Sequence, residues 1–190
     1  MRDLRTSLLF AALTLAVCSV GYPSVVWLVA HGLVPKSAEG NLVERRGAVV
    51  GSLHIGQRFT SPGYLWPRPS AVGWDASATG GSNLSPANPA IAERARELLA
   101  RPGMVARGPV PAELVLASGS GLDPHITLAA ALYQVPRIAA ARGVEARRVA
   151  DLLAELAEHP GGGLAGIRLV NVLEANLALD DEPWGAPAAR

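Results

Sequence analysis

The sequence predicts an α+β domain carried behind one N-terminal transmembrane helix. Three observations lead there: an uncharged apolar run over residues 6–30, a β-like run within residues 42–55, and later stretches whose apolar residues recur at helical spacing between glycine and proline breakers. Together they divide the chain into a short flank (1–5), a membrane helix (6–34), one α+β domain (35–180) and a flexible tail (181–190).

The uncharged run reaches roughly 37 Å as a helix at ~1.5 Å per residue, enough to cross a hydrocarbon core about 30 Å thick. Leu8, Leu9, Phe10, Leu13, Val17, Val20, Val25, Leu28 and Val29 point all round such a helix, as lipid requires. Gly21-Tyr22-Pro23 interrupts it, reading as a kink and a candidate packing site against another helix. A cleaved signal peptide would have a shorter apolar region, about 7–15 residues, ending at a small-residue site. A lipoprotein reading would use Cys18, but bulky Val17 precedes it and more apolar positions follow. Arg2, Arg5 and the free amine crowd one flank and Lys36 stands alone close to the other, with Arg45 and Arg46 further on. The positive-inside rule then places the N-terminus in the cytosol and the soluble domain outside.

The soluble part is near the commonest size of a single domain and long enough for one core. Val49, Val50, Leu53 and Ile55 around Gly51 predict one or two short strands. Residues 56–89 show neither period but hold Phe59, Tyr64, Trp66 and Trp74. Such long loops are functional or disordered, and the aromatics argue against disorder. Asn88-Pro89 caps and opens a helix with Ile91, Ala95, Leu98 and Leu99 as its stripe, and Pro102-Gly103 ends it. Residues 114–117 are a strand candidate leading into a glycine-rich loop, residues 118–125. Thr127 caps a helix running to about Arg142, stopped by Gly143 and bent or broken by Pro136. A further helix over about 145–158 buries Val149, Leu152, Leu153 and Leu156, and residues 167–179 read as strand.

The net charge of +1, with Arg and Glu intermixed, excludes a basic nucleic-acid face. Cys18 is the one cysteine, so no internal disulfide forms. Lys36 is the one lysine and no phosphate-binding P-loop surrounds it, so the chain is not such an ATPase by itself. Ser120 lacks the glycines two before and two after it that a nucleophile elbow needs. His54, His125 and His159 are scattered without metal-ligand spacing, so no metal site is expected. Asp123 before Pro124 reads first as a turn residue accepting backbone N–H bonds and second as an acid. Gly80-Gly81-Ser82-Asn83 and residues 118–121 could aim N–H groups at an anion, or carbonyls at a cation or partner. Arg137 and Arg142, five apart, fall on different stripes and read as solvated or ion-pairing side chains.

Four stretches together resemble one family, the C subunit of the Kdp-type potassium-transporting P-type ATPase. They are Gly51-Ser52-Leu53-His54-Ile55-Gly56-Gln57-Arg58-Phe59 with Tyr64 and Arg68-Pro69-Ser70-Ala71; Gly80-Gly81-Ser82-Asn83-Leu84 with Asn88-Pro89; residues 118–125 with Tyr133-Gln134-Val135-Pro136-Arg137 and Ala141-Arg142; and residues 170–180. With the span and its Tyr22-Pro23, the resemblance covers nearly all of the chain to Asp180. Leu65 and Trp66 depart from the family's usual residues after Tyr64, and Thr79 stands where Ser is usual.

The resemblance implies a non-catalytic subunit of a complex in the bacterial inner membrane that hydrolyses ATP to import potassium, with a channel-like A subunit, a catalytic B subunit and membrane lipid as neighbours. ATP, Mg and K⁺ would be used by the complex, with no cofactor assigned to this chain. The family's C subunit is credited with assembly and with raising the ATP affinity of the B subunit. An external domain would exert that effect through the complex. The positions it marks as partner-contact or functional loops are Gln57, Arg68, Ser70, Gly80, Gly81, Ser82, Asn83, Ser120, Gly121, Asp123, Gln134, Arg137, Arg142, Asn171 and Asn176, with Gly21, Tyr22 and Pro23 for helix packing. The competing readings are an anchored binding or chaperone domain without transport partners, which would purify alone, and an anchored enzyme using Asp123 or His125.

Overall fold

The computed structural model describes residues 2–104, 108–163 and 166–184. The chain divides between Val50 and Gly51 into two units.

The first unit is dominated by a 32-residue helical run, Arg2–Leu33, long and apolar enough to cross a membrane, with no part of its apolar window buried. It comprises α1 (Arg2–Leu15), a π-helical turn (Ala16–Gly21) and α2 (Tyr22–Leu33). The expected interruption takes the form of this wide turn. Pro23, near the start of α2, has no N–H to offer, and the Tyr22 N–H reaches back five residues to the Val17 carbonyl. Inserting the extra residue lets the ladder accommodate proline. A short α3 (Pro35–Ala38) precedes β1 (Leu42–Arg45) and β2 (Ala48–Ser52), which pair with each other. Between the strands Arg46 has φ 53° and Gly47 φ 79°. Positive φ at both loop residues is the requirement of the tight turn whose twist suits a hairpin.

The second unit builds its core from helices around a small antiparallel ladder. The helix α4 (Pro89–Leu99) starts as expected, the Asn88 side chain accepting from the Ala90 N–H with Pro89 in the first turn. β3 (His125–Thr127) pairs with β4 (Leu169–Asn171), and the directly opposed Ile126 and Val170 are fully buried. Thr127 caps α5 (Leu128–Tyr133) through an N–H bond from Ala130, and the helix breaks at Gln134 before α6 (Val135–Arg142), with Pro136 in the new first turn. Gly143, at φ 67°, ends α6 in the left-handed conformation that suits glycine. The next helix, α7 (Ala146–Leu156), buries Val149 and Leu153, with Leu152 and Leu156 packed at the margin of the core.

Two expected strands are corrected. Residues 167–179 contain only the three-residue β4, and then α8 (Val172–Asp181). Asn171 decides this: its Oδ1 accepts from the N–H groups of Leu173 and Glu174, a helix cap, and Val172, Ala175, Asn176 and Leu179 are then buried at helical spacing. Residues 114–117 form no strand either: a 3₁₀ turn (Ala112–Leu114) follows Pro111 and buries Leu114. The tail begins with docked residues, Trp184 lying under Arg148, which donates to its carbonyl, while its indole N–H donates to Leu179. Residues 185–190 lie outside those described.

Candidate functional site

The sequence-marked residues converge on the long segment 56–89, and most of them hold it. Asn176, 2 % exposed, accepts from the Leu65 N–H at 2.7 Å and donates to the Leu65 carbonyl at 3.1 Å. Gln134, one residue along the segment, accepts from the Trp66 N–H at 2.9 Å and donates to the Trp66 carbonyl at 3.1 Å. Each side-chain amide thus plays the part of a neighbouring strand, satisfying both polar groups of one buried residue. Irregular backbone can be buried here because α5–α6 and α8 bring the two amides to it.

Arg137 and Arg142 complete this clamp. Arg137 donates to the carbonyls of Pro62 and Tyr64 and to Gln134 Oε1, and its guanidinium lies 3.6 Å from the Trp66 ring centroid. Burial lowers its pKa to about 10. The side chain expected to be solvated or paired with an acid is instead spent on backbone carbonyls. Arg142 donates to Gly63 and Leu179 carbonyls and forms a 2.8 Å ion pair with Asp180, which also accepts from the Tyr64 hydroxyl. Consequently Leu65 and Trp66, the two residues that depart from the family's usual ones after Tyr64, are core residues at 0 % and 7 % exposure.

A second group fastens the next part of the segment. Arg68 Nη1 pairs with Asp123 Oδ2 at 3.1 Å, and Asp123 Oδ1 accepts from the His125 N–H at 3.0 Å. Burial alone would raise the Asp123 pKa. The hydrogen bonds from His125 and the Arg68 charge outweigh it and hold the carboxyl below its ordinary range. The turn reading of Asp123 therefore stands. Gly80 N–H donates to the Ser120 carbonyl at 2.8 Å, Thr79 Oγ1 donates to the same carbonyl, and Ser118 N–H donates to Pro69. The two glycine-rich loops face each other: a Cβ on Gly81 would lie 2.9 Å from the Gly119 carbonyl oxygen, and one on Gly121 2.8 Å from that of Gly80.

Ser70 Oγ accepts from the N–H groups of Val72 and Trp74. That turn holds Trp74 at φ 61°, a left-handed conformation rare for a bulky side chain and costing of order 1–3 kcal/mol. No spacing in the sequence signals it. Gln57 Oε1 fills the space a Gly51 side chain would take, and Asn171 Nδ2 donates to the Leu53 carbonyl at 2.7 Å. Ser82 is half-buried, while Asn83 is exposed at φ 50°, a conformation asparagine tolerates. Gly21, Tyr22 and Pro23 belong to the first unit, at the junction of the π turn and α2.

This chemistry fixes an irregular segment within the domain. The polar side chains satisfy backbone or one another, and among the described residues no group of three or more His, Cys, Asp or Glu could hold a metal ion.

The family model described as "K+-transporting ATPase, c chain", KdpC, matches residues 4–181. The chain belongs to the KdpC family. Relatives described as potassium-transporting ATPase KdpC subunits bear this out: 50 % identity with that of Parvibaculum lavamentivorans, covering 95 % of this chain and 97 % of the relative. The Polaromonas naphthalenivorans subunit is 48 % identical over 94 % of each chain, and the Geobacter sulfurreducens subunit 44 % over 95 % and 98 %. The KdpC match takes in the apolar helix and the clamped segment alike and stops at Asp181, three residues before the docked Trp184. The resemblance read from Gly51–Phe59, the paired glycine loops and residues 170–180 is the one the whole chain shows.

Proposed function

We propose that this chain is the non-catalytic subunit of an ATP-driven potassium importer in the bacterial inner membrane, required for its assembly. The observation that carries the reading is the KdpC match across both the apolar helix and the domain behind it. In this reading the helix assembles with the channel-like A subunit and the catalytic B subunit. ATP, Mg and K⁺ are handled by those partners, and any rise in ATP affinity reaches the B subunit through the complex.

The domain lies outside the cytosol, over the outer mouth of the A subunit, with residues 68–70 and 80–83 as contact surface. Arg2 and Arg5 against Lys36 support that orientation, and exposed Asn83 is the most accessible of these positions.

Extraction in mild detergent tests the class: two large polytopic chains should co-purify, and a chain that purifies alone overturns it. Side is tested in a Cys18→Ser, Asn83→Cys variant with a membrane-impermeant maleimide. Labelling in intact spheroplasts is expected, whereas labelling only after permeabilisation places the domain inside. An Asn83→Asp variant with wild-type complex recovery and potassium affinity would remove residues 80–83 from the contact surface.

A further inference from the structure

A groove of about 250 Å³ opens between α4 and the segment around residues 59–74. Phe59, Trp66 and Trp74 contribute aromatic surface, and α4 and its end contribute Arg94, Glu97 and Arg101. Arg94 and Glu97, three apart on α4, and Arg101, two residues past its end, form that wall. One feature sets the groove apart from loose packing. Trp74, which lines the wall, is held in its strained left-handed conformation by the Ser70 turn.

Size and charge select the occupant. Pockets for drug-sized molecules run about 300–1,000 Å³, so this groove suits a single inserted side chain better than a nucleotide or cofactor. Aromatic walls favour a flat ring, and interface anchors of this kind are enriched in aromatic residues. Two guanidinium groups against one carboxylate leave the rim positive. We infer that the groove is an anchor pocket for one aromatic side chain carried beside a carboxylate on an extramembrane segment of a partner subunit. The inference rests on the proposed function only for where that partner is found.

The test uses the full chain expressed with the other subunits. With Arg101→benzoylphenylalanine irradiated in native membranes, the expected adduct joins an extramembrane partner peptide containing an aromatic and an acidic residue. An adduct only to lipid or to this chain, or none, overturns the inference. Charge reversal supplies a second readout with opposite signs. Arg101 and Glu97 are exposed, so neither substitution empties the core. Arg101→Glu should lower recovery of the complex about tenfold, and Glu97→Lys should leave it undiminished. Equal recovery from both variants and wild type sinks the pocket and leaves the subunit reading intact. A wild-type chain that purifies alone sinks the subunit reading itself.

Discussion

A side-chain amide can satisfy one backbone N–H and one C=O together, and Asn176 and Gln134 do so for consecutive residues. Leu65 has no other way to bury both of its polar groups. Asn176→Ala leaves the pair unmet in a fully buried setting, which costs about 2–6 kcal/mol at roughly 1–3 per unsatisfied group. A urea midpoint measured on the full chain in detergent, unchanged within error, would show that the segment re-pairs elsewhere. Asp123 carries a pH dependence of known sign. Its folded pKa lies below the ordinary value of about 3.9, so its contribution to stability is complete above that value and is lost as pH falls through the lower folded one. Asp123→Asn should therefore lose less stability than wild type between neutral pH and the acid side of that window. Parallel acid profiles would show that the Arg68 and His125 contacts do not favour the ionised carboxylate.

At the scale of elements, what was legible is what local chemistry decides. Asn88-Pro89, Thr127, Pro136 and Gly143 act on their own backbone within a turn, and each starts, breaks or stops a helix where the sequence predicts. The stretch from Val170 to Leu179 misleads because Val170 and Val172 suggest a period of two. Asn171 then caps, and burial of Val172, Ala175, Asn176 and Leu179 enforces the helical period. The clamp was illegible for another reason: its partners lie 68 and 111 positions apart, and no periodicity links them. Motif resemblance picked out Gln134 and Asn176 without revealing what they hold. The glycine loops show the same division. Gly121→Ala would place Cβ 2.6 Å from Val72 and 2.8 Å from the Gly80 carbonyl oxygen at φ +72°, and should cost more than about 1 kcal/mol. Gly119→Ala meets nothing within 4 Å and should stay within about 0.5 kcal/mol of wild type. Equal midpoints for the two variants would dissolve the loop-to-loop contact.

At the scale of the whole molecule, the apolar helix has to do more than hold a domain at a membrane if the chain is an assembly subunit. Lipid offers no hydrophobic reward for bringing helices together, so association depends on close packing at small residues and on backbone irregularities that a partner can match. The π turn over Ala16–Gly21 supplies both, with Gly21 at its end and Pro23 two residues on. Gly21 is helical at φ −60°, and a Cβ there would meet only the Ala16 carbonyl oxygen at 3.7 Å, an ordinary contact. The helix itself therefore accepts a larger residue, and the effect of Gly21→Leu falls on whatever packs against that face. We expect the variant to insert and retain its helical content by circular dichroism while recovery of the partner subunits in mild detergent drops by an order of magnitude. Gly32→Leu, near the end of α2 with nothing within 4 Å of its Cβ position, serves as the comparison. Wild-type recovery from Gly21→Leu would mean that the π turn only accommodates Pro23 and that assembly is carried by other surfaces.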